Sequence, residues 1–181
     1  NASPFRANKF QERLDQVEAR SRETGLPILY CNLVGGQDEL IFDGASFVCD
    51  SQGRRCVQAA SFTEALVPVD LQCSDGHCEP VGEQLPLPGL EESLYQALVL
   101  ATRDYVNKNG FKGALLGLSG GIDSALILTL IKKTIPDIQV DAISVKFANS
   151  IDETENASKI AAELGVKHHV IYIENYLREL P

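Results

Sequence analysis

The sequence predicts an α/β protein in two parts, the second built on a parallel sheet. Three observations support this. From about residue 91 onward, segments with helix and strand periodicity alternate. The strands among them are almost continuously apolar, as in parallel sheets covered on both faces. Between 72 and 90, QCSDGHCEPVGEQLPLPG holds three prolines and three glycines with little periodicity, which marks a linker.

The elements follow in order. Residues 9–24 read as a helix, with Phe10, Leu14, Val17 and the stem of Arg20 on one face and Gly25 as the stop. LPILYCNLV, 26–34, reads as a buried strand. FDGASFVCD and RRCVQAASF flank the turn signal Asp50-Ser51-Gln52-Gly53 and predict a hairpin. ALVPVDL, 65–71, is expected to be the last strand of the first part. A helix over 91–109 opens the second part, with Leu94, Leu98, Ala101, Tyr105 and Val106 as its apolar stripe. Strand 113–118, helix 121–134, strand 138–145, helix 152–164 and strand 166–173 complete the chain. Pro136 and Gly165 sit where helix breakers belong.

Composition narrows the function. With 44% hydrophobic and 23% charged residues, the 181-residue chain can bury a real core. Its net charge of −9 disfavours a general nucleic-acid binder, which would show a basic face. No apolar run is long enough to span a membrane. The five cysteines, Cys31, Cys49, Cys56, Cys73 and Cys78, are odd in number and irregularly spaced, which points to a reduced, cytoplasmic setting. Cys73-Ser-Asp-Gly-His77-Cys78 lacks a second cluster to complete a metal site and reads better as a polar loop. The chain opens at Asn1 and contains no methionine, where average usage of roughly 2% gives about four. That composition suggests an excised segment or missing methionines.

The chemistry concentrates in GALLGLSGGIDSALILTLIKK, residues 113–133. Gly120 and Gly121 let backbone approach a ligand and adopt positive φ. The helix that follows aims free N–H groups and its positive dipole end at that ligand. Ser119 and Ser124 add hydroxyls. Asp123 would repel a phosphate unless a cation lay between them, so its natural task is to hold Mg²⁺; helix capping is its other reading. The loop is neither a Walker A motif nor a dinucleotide fingerprint. Gly117-Leu118-Ser119-Gly120-Gly121 also fits the G-x-S-x-G nucleophile elbow, with His168 and His169 as the downstream histidines, but that reading leaves Asp123 and Ser124 unexplained.

The string Ser119-Gly120-Gly121-Ile122-Asp123-Ser124 resembles the SGGxDS pyrophosphate loop of the N-type ATP pyrophosphatases. LYQALVLATRDYVNKNGFKGALLGLSGGIDSAL, 94–126, is similar to the entry into the synthetase domain of glutamine-dependent NAD(+) synthetases. NASPF, 1–5, ETGLPILYCNLVGGQDELIFDGASFVCDSQG, 23–53, and the expected strand 65–71 resemble the last third of that family's nitrilase-like glutaminase domain. The resemblance implies the C-terminal portion of a nitrilase-like α/β/β/α sandwich over 1–71, a linker over 72–90, and the N-terminal portion of a Rossmann-like, doubly wound ATP pyrophosphatase domain (adenine nucleotide α-hydrolase-like) over 91–181.

It also implies a ligase reaction. ATP with Mg²⁺ adenylates the carboxylate of nicotinic acid adenine dinucleotide (deamido-NAD), and ammonia from L-glutamine displaces AMP to give NAD(+), with pyrophosphate released. Carried over by position, Gly117, Leu118, Ser119, Gly120, Gly121, Ile122, Asp123, Ser124, Val145 and Lys146 would bind ATP, with Asp123 the Mg²⁺ ligand. The strand VDAISV, 140–145, would line the adenosine pocket. Lys146, which heads a basic-aromatic pair with Phe147, reads equally as a phosphate contact or a solvated lysine. Ser3 and Lys9 would hold glutamine; a turn before Pro4 is the plainer reading of Ser3. The family's glutaminase Glu–Lys–Cys triad is expected upstream of Asn1, and further Mg²⁺ and phosphate ligands beyond Pro181. The chain as given is therefore expected to complete neither half-reaction, and Cys31 is no substitute nucleophile. The segment 146–156 is shorter than the family pattern. The resemblance further implies small-molecule substrates, a homo-oligomer, and no nucleic-acid or membrane partner.

Overall fold

A computed structural model describes residues 1–74, 77–146 and 152–173. By packing, the chain divides into two units, Asn1–Tyr105 and Val106–Pro181.

In the first unit, helix α1 (Lys9–Thr24) stops at Gly25, whose φ of 66° lets its N–H reach Ser21 O at 2.9 Å. Strands β1 (Ile28–Tyr30), β4 (Phe47–Cys49) and β5 (Arg55–Gln58) form an antiparallel sheet in the order β1-β4-β5. Asp50 turns the β4–β5 connection: its carboxylate accepts the Gln52 and Arg54 N–H groups and the Arg54 guanidinium. Leu14, Phe47 and Cys49 make a core cluster, with Phe10, Val17 and Tyr30 packed on it. The expected face of α1 is corrected at Arg20. That side chain is exposed and pairs with Glu23, while Arg13 and Ser21 turn inward.

Two hairpins were not anticipated. Strands β2 (Val34–Gln37) and β3 (Leu40–Asp43) pair across a turn in which Asp38 takes a φ of 52°. The segment 65–69 is not a strand; β6 (Asp70–Ser74) starts later and pairs with β7 (His77–Val81). Cys73 lies opposite Cys78 in that hairpin, and a disulfide joins them at a Cα–Cα distance of 4.0 Å. The segment expected to be an irregular linker thus carries a hairpin. Its end is tied to β5 by Gln58 N–H to Glu83 O and Leu85 N–H to Gln58 O.

Helix α2 (Leu90–Asn109) begins in the first unit. Its buried positions there are Ala97 and Leu100, in a cluster with Phe62 and flanked by Phe5, Val34 and Ile41. The expected stripe is corrected: Leu94, Leu98 and Tyr105 are exposed. The contact falls on the Ala97–Leu100–Ala101–Asp104 face because Gly36 lets β2 approach closely. Gly36 N–H donates to the Asp104 carboxylate at 2.8 Å, and a Cβ at position 36 would sit 3.2 Å from the Ala101 Cα.

The second unit alternates as expected: β8 (Gly113–Gly117), α3 (Ile122–Thr134), β9 (Gln139–Lys146), α4 (Asp152–Glu163) and β10 (Lys167–Tyr172). The strands are parallel in the order β10-β9-β8. Leu128 of α3 and Ala157 and Ala161 of α4 share one cluster with Val140 and Ala142, which point to the same face of β9. Both helices therefore cover one face. The opposite face carries Leu115 and Val145, 67% and 60% exposed, and neither α3 nor α4 lies over it. No helix among the described residues is long and apolar enough to cross a membrane.

Candidate functional site

The loop between β8 and α3 leaves the carboxyl end of a parallel strand, where open α/β sheets bind ligands. Gly120 takes a φ of 85°, a conformation that favours glycine. Ser124 is the hub of the turn. Its hydroxyl donates to Gly121 O at 3.1 Å and lies 3.2 Å from Ser119 Oγ. Because the one Ser124 proton goes to a carbonyl, Ser119 donates in that second contact. Ser119 Oγ in turn accepts from Gly121 N–H at 3.3 Å, and Ser119 N–H donates to Ser124 Oγ at 3.3 Å. The two serines thus close the loop on itself.

The first intrahelical bond of α3 is Ala125 N–H to Gly121 O, and no side chain caps the helix. The N–H groups of Ile122, Asp123 and Ser124 precede that bond and have no intrahelical acceptor. These donors are uncommitted, the arrangement by which helix N-termini receive anions. Asp123 stands in the first turn, exposed, and no described residue pairs with its carboxylate. A single exposed carboxylate beside such a helix end has the chemistry of a Mg²⁺ ligand, since that ion binds few protein carboxylates and completes its shell with water and ligand oxygens. No group of three or more His, Cys, Asp or Glu side chains among the described residues forms an all-protein metal cage.

Beside the loop, a cavity of about 360 Å³ is lined by 117–119 from β8 and its exit, 143–145 from β9, and Thr154 from α4. Gly117, Leu118, Ser119 and Val145 are therefore gathered at one cavity. Gly120, Gly121, Ile122, Asp123, Ser124 and Lys146 are not among its lining residues, and Phe147 lies outside the described residues. Ile143 and Ser144 belong to the strand expected to line the adenosine pocket, and Thr154 is a lining residue that no motif indicates. Ser144 sits within the strand VDAISV, and its inward direction was available from the alternation of that strand.

The elbow reading finds no base. His168 contacts Ser144 and Ser158, and His169 contacts Asp141, so neither downstream histidine is a partner of Ser119.

In the first unit, Ser3 is held by its backbone. Ser3 N–H donates to Asn32 Oδ1 at 2.9 Å, and Ser3 O accepts from Asn32 Nδ2 and Arg13 Nη1. Arg13 and Asp43, 5% and 4% exposed, form a two-pronged ion pair beneath. Lys9 opens α1 and pairs with Glu12 at 2.7 Å. The unit's large cavity, about 560 Å³ and mostly apolar, is lined by neither Ser3 nor Lys9.

Comparison with known proteins adds the decisive observation: a family model described as NAD synthase matches residues 94–180. That segment of the chain belongs to the NAD synthase family. Along nearly its whole length, the chain is 41% identical over 177 residues to a glutamine-dependent NAD(+) synthetase of Rhodobacter capsulatus, covering 96% of this chain and 32% of the relative. A glutamine-dependent NAD(+) synthetase from Acinetobacter baumannii, solved in complex with adenosine diphosphate, superposes with a TM-score of 0.85 at 37% identity over 98% of this chain and 34% of that one. A glutamine-dependent NAD(+) synthetase from Cytophaga hutchinsonii superposes with a TM-score of 0.74 at 20% identity, over 98% of this chain and 36% of that one, which shows the shared fold. The α/β class and the parallel sheet of the second unit are thus common to these proteins. The chain spans about a third of the length of the relatives it matches.

Proposed function

We propose that this chain forms part of a glutamine-dependent NAD(+) synthetase. The reading carries over the domain boundaries: glutaminase over 1–71, linker over 72–90 and synthetase over 91–181. ATP adenylates the carboxylate of deamido-NAD, and ammonia released from glutamine displaces AMP. The observation that carries the reading is the uncapped N-terminus of α3 behind a glycine loop held shut by Ser119 and Ser124. Pyrophosphate is a heavily charged leaving group, and preorganised N–H donors stabilise that charge as it develops. The A. baumannii relative was solved in complex with adenosine diphosphate, which supports an adenine nucleotide as a ligand of this enzyme.

Each residue then has a task. Gly120 and Gly121 admit the phosphates, Ser119 and Ser124 keep the loop in shape, and the N–H groups of 122–124 face the charge. Gly117, Leu118 and Val145 wall the adenosine side, and Lys146 stands at the phosphate edge. Asp123 would hold Mg²⁺, which neutralises the phosphate oxygens beside a carboxylate. In the first unit, Ser3 and Lys9 contact glutamine, and the glutaminase triad lies outside this chain. We place the enzyme in the cytoplasm as a homo-oligomer acting on small molecules, without nucleic-acid or membrane partners.

The test is product analysis with the full-length protein, deamido-NAD, ATP·Mg²⁺ and glutamine or ammonia. AMP, pyrophosphate and NAD(+) should appear in equal amounts. No AMP release with deamido-NAD would point to another ammonia-using ATP pyrophosphatase, and labelling of Ser119 by a fluorophosphonate would point to a hydrolase.

A further inference from the structure

The carbonyl of Leu118 is the last main-chain group of the β8 exit before the loop. Leu118 is 1% exposed, and its N–H donates to Ile143 O at 2.8 Å. Its carbonyl takes a side-chain donor, the Ser144 hydroxyl, at 2.5 Å. Ser144 also lies 2.7 Å from Nε2 of His168, and Nδ1 of that ring lies 3.1 Å from Ser158 Oγ on α4.

Counting protons assigns the roles. Ser144 has one, and only a donor satisfies the Leu118 carbonyl, so the serine proton goes there. The 2.7 Å contact must then be donated by the ring, as Nε2–H. On the other side, the Ser158 proton has two acceptors in reach, Thr154 O at 2.9 Å and the ring Nδ1. In the neutral ring Ser158 donates to Nδ1. In the charged ring Nδ1–H donates to Ser158, which gives its proton to Thr154 O. Nε2 is a donor in both states. This is also why Ser144 and His168 are not a nucleophile and its base: the base nitrogen already carries its proton, and Ser144 is only 7% exposed.

We infer that His168 is a positioning residue for nucleotide binding, acting through Ser144 on the Leu118 carbonyl to fix the trajectory of the β8 exit into the 119–124 loop. The inference rests on the reading of that loop as an ATP site. His168 touches none of the residues assigned to the phosphates. It links β10, α4 and β9 to the one carbonyl from which the loop departs. Without the Nε2 donor, Ser144 is free to rotate, and the loop must be ordered when ATP binds, which weakens binding.

The experiment compares wild type, His168→Leu, His168→Gln, Ser144→Ala and the His168→Leu/Ser144→Ala double variant, all in the full-length protein. Binding of ATP·Mg²⁺ is measured directly, and kcat and KM are measured with deamido-NAD and ammonia. H168L should weaken ATP about tenfold, the share of one hydrogen bond, and raise its KM more than it lowers kcat. H168Q, which still offers an N–H to Ser144, should recover most of the loss. S144A should lose as much as H168L, and the double variant no more than either, since the two act through one carbonyl. If H168L melts early, S144A is a smaller truncation that carries the same expectation. Wild-type-like ATP binding by H168L or S144A, losses that multiply in the double variant, or an H168Q as weak as H168L would overturn the inference while leaving the ATP site standing. A wild-type protein that binds no ATP would remove the ATP site and the inference with it.

Discussion

Asp43→Asn removes one negative charge from the first unit and changes almost nothing in its shape. Asp43 accepts two bonds from the Arg13 guanidinium, at 2.8 and 2.5 Å, and both residues are about 95% buried. Charge-assisted hydrogen bonds contribute about 1.5–3 kcal/mol each. Breaking a buried pair from one side leaves an uncompensated charge and costs about 3–5 kcal/mol. Because asparagine keeps one acceptor oxygen, D43N should fall near the lower figure, about 3 kcal/mol, and Asp43→Ala near the upper. Urea denaturation of the full-length protein measures this as a lower midpoint at constant m for the transition of the first unit. Arg13→Met combined with D43N should recover much of the loss, because a partner-free guanidinium is the main penalty. The same pair carries a functional expectation. Arg13 and Asn32 hold the Ser3 carbonyl. If the proposed function holds, D43N should therefore raise the KM for glutamine while leaving ammonia-driven synthesis unchanged. A destabilisation under about 1 kcal/mol would mean that Arg13 finds solvent and that the pair contributes no more than an exposed one.

Two further outcomes concern groups whose titration the fold shifts. Burial, reinforced by Glu18, Cys56 and Asp50, pushes the Cys49 thiol up to about 11. At pH 8 about one thiol in a thousand is then ionised, against about a quarter for an ordinary cysteine. Mass spectrometry after alkylation at pH 8 should find Cys49 unmodified until denaturant is added, and Cys73 and Cys78 modified only after reduction. Rapid native labelling of Cys49 would contradict its burial. Asp50 titrates below the ordinary carboxylate range: burial raises it, but the Arg54 and Gln52 N–H groups and the Arg54 guanidinium outweigh that. Its stabilising contribution is complete above the unfolded value of about 3.9 and is lost as pH falls through the lower folded value. Asp50→Asn should therefore be less stable than wild type at pH 7, with the gap closing at acid pH; a gap that stays constant as the pH falls would refute the linkage.

The second unit was legible nearly to the residue, and the first was not. Each strand and helix after Gly110 keeps its own periodicity, and parallel βα units need few choices beyond it. In the first unit, β2 hides behind Gly35-Gly36, which give no alternation to read, and its turn places Asp38 at positive φ, where a sequence reader looks for glycine or asparagine. The α2 stripe was misassigned for a related reason. Ten apolar residues compete for its face, and what selects Ala97 and Leu100 is the close approach that Gly36 permits, over 60 residues away in sequence.

The site divides along the same line. The 119–124 loop announces itself because its glycines, hydroxyls and carboxylate are contiguous, and contiguity is what a sequence displays. The residues that hold the loop's entrance are scattered over β9, α4 and β10, and none belongs to a motif. Ser144 looked like one more small residue in an apolar strand, and His168 like the spare base of a hydrolase. Only their 2.7 Å contact, with the Ser144 proton committed to Leu118, gives them a shared task. Ser119 is reassigned by the same kind of count. Its proton goes to Ser124 and its lone pair takes the Gly121 N–H, so the residue that fits a nucleophile elbow is spent on the shape of the loop. What remains uncommitted is the N-terminus of α3 and the carboxylate of Asp123, and those two features together suit a phosphate and its metal rather than an acyl group.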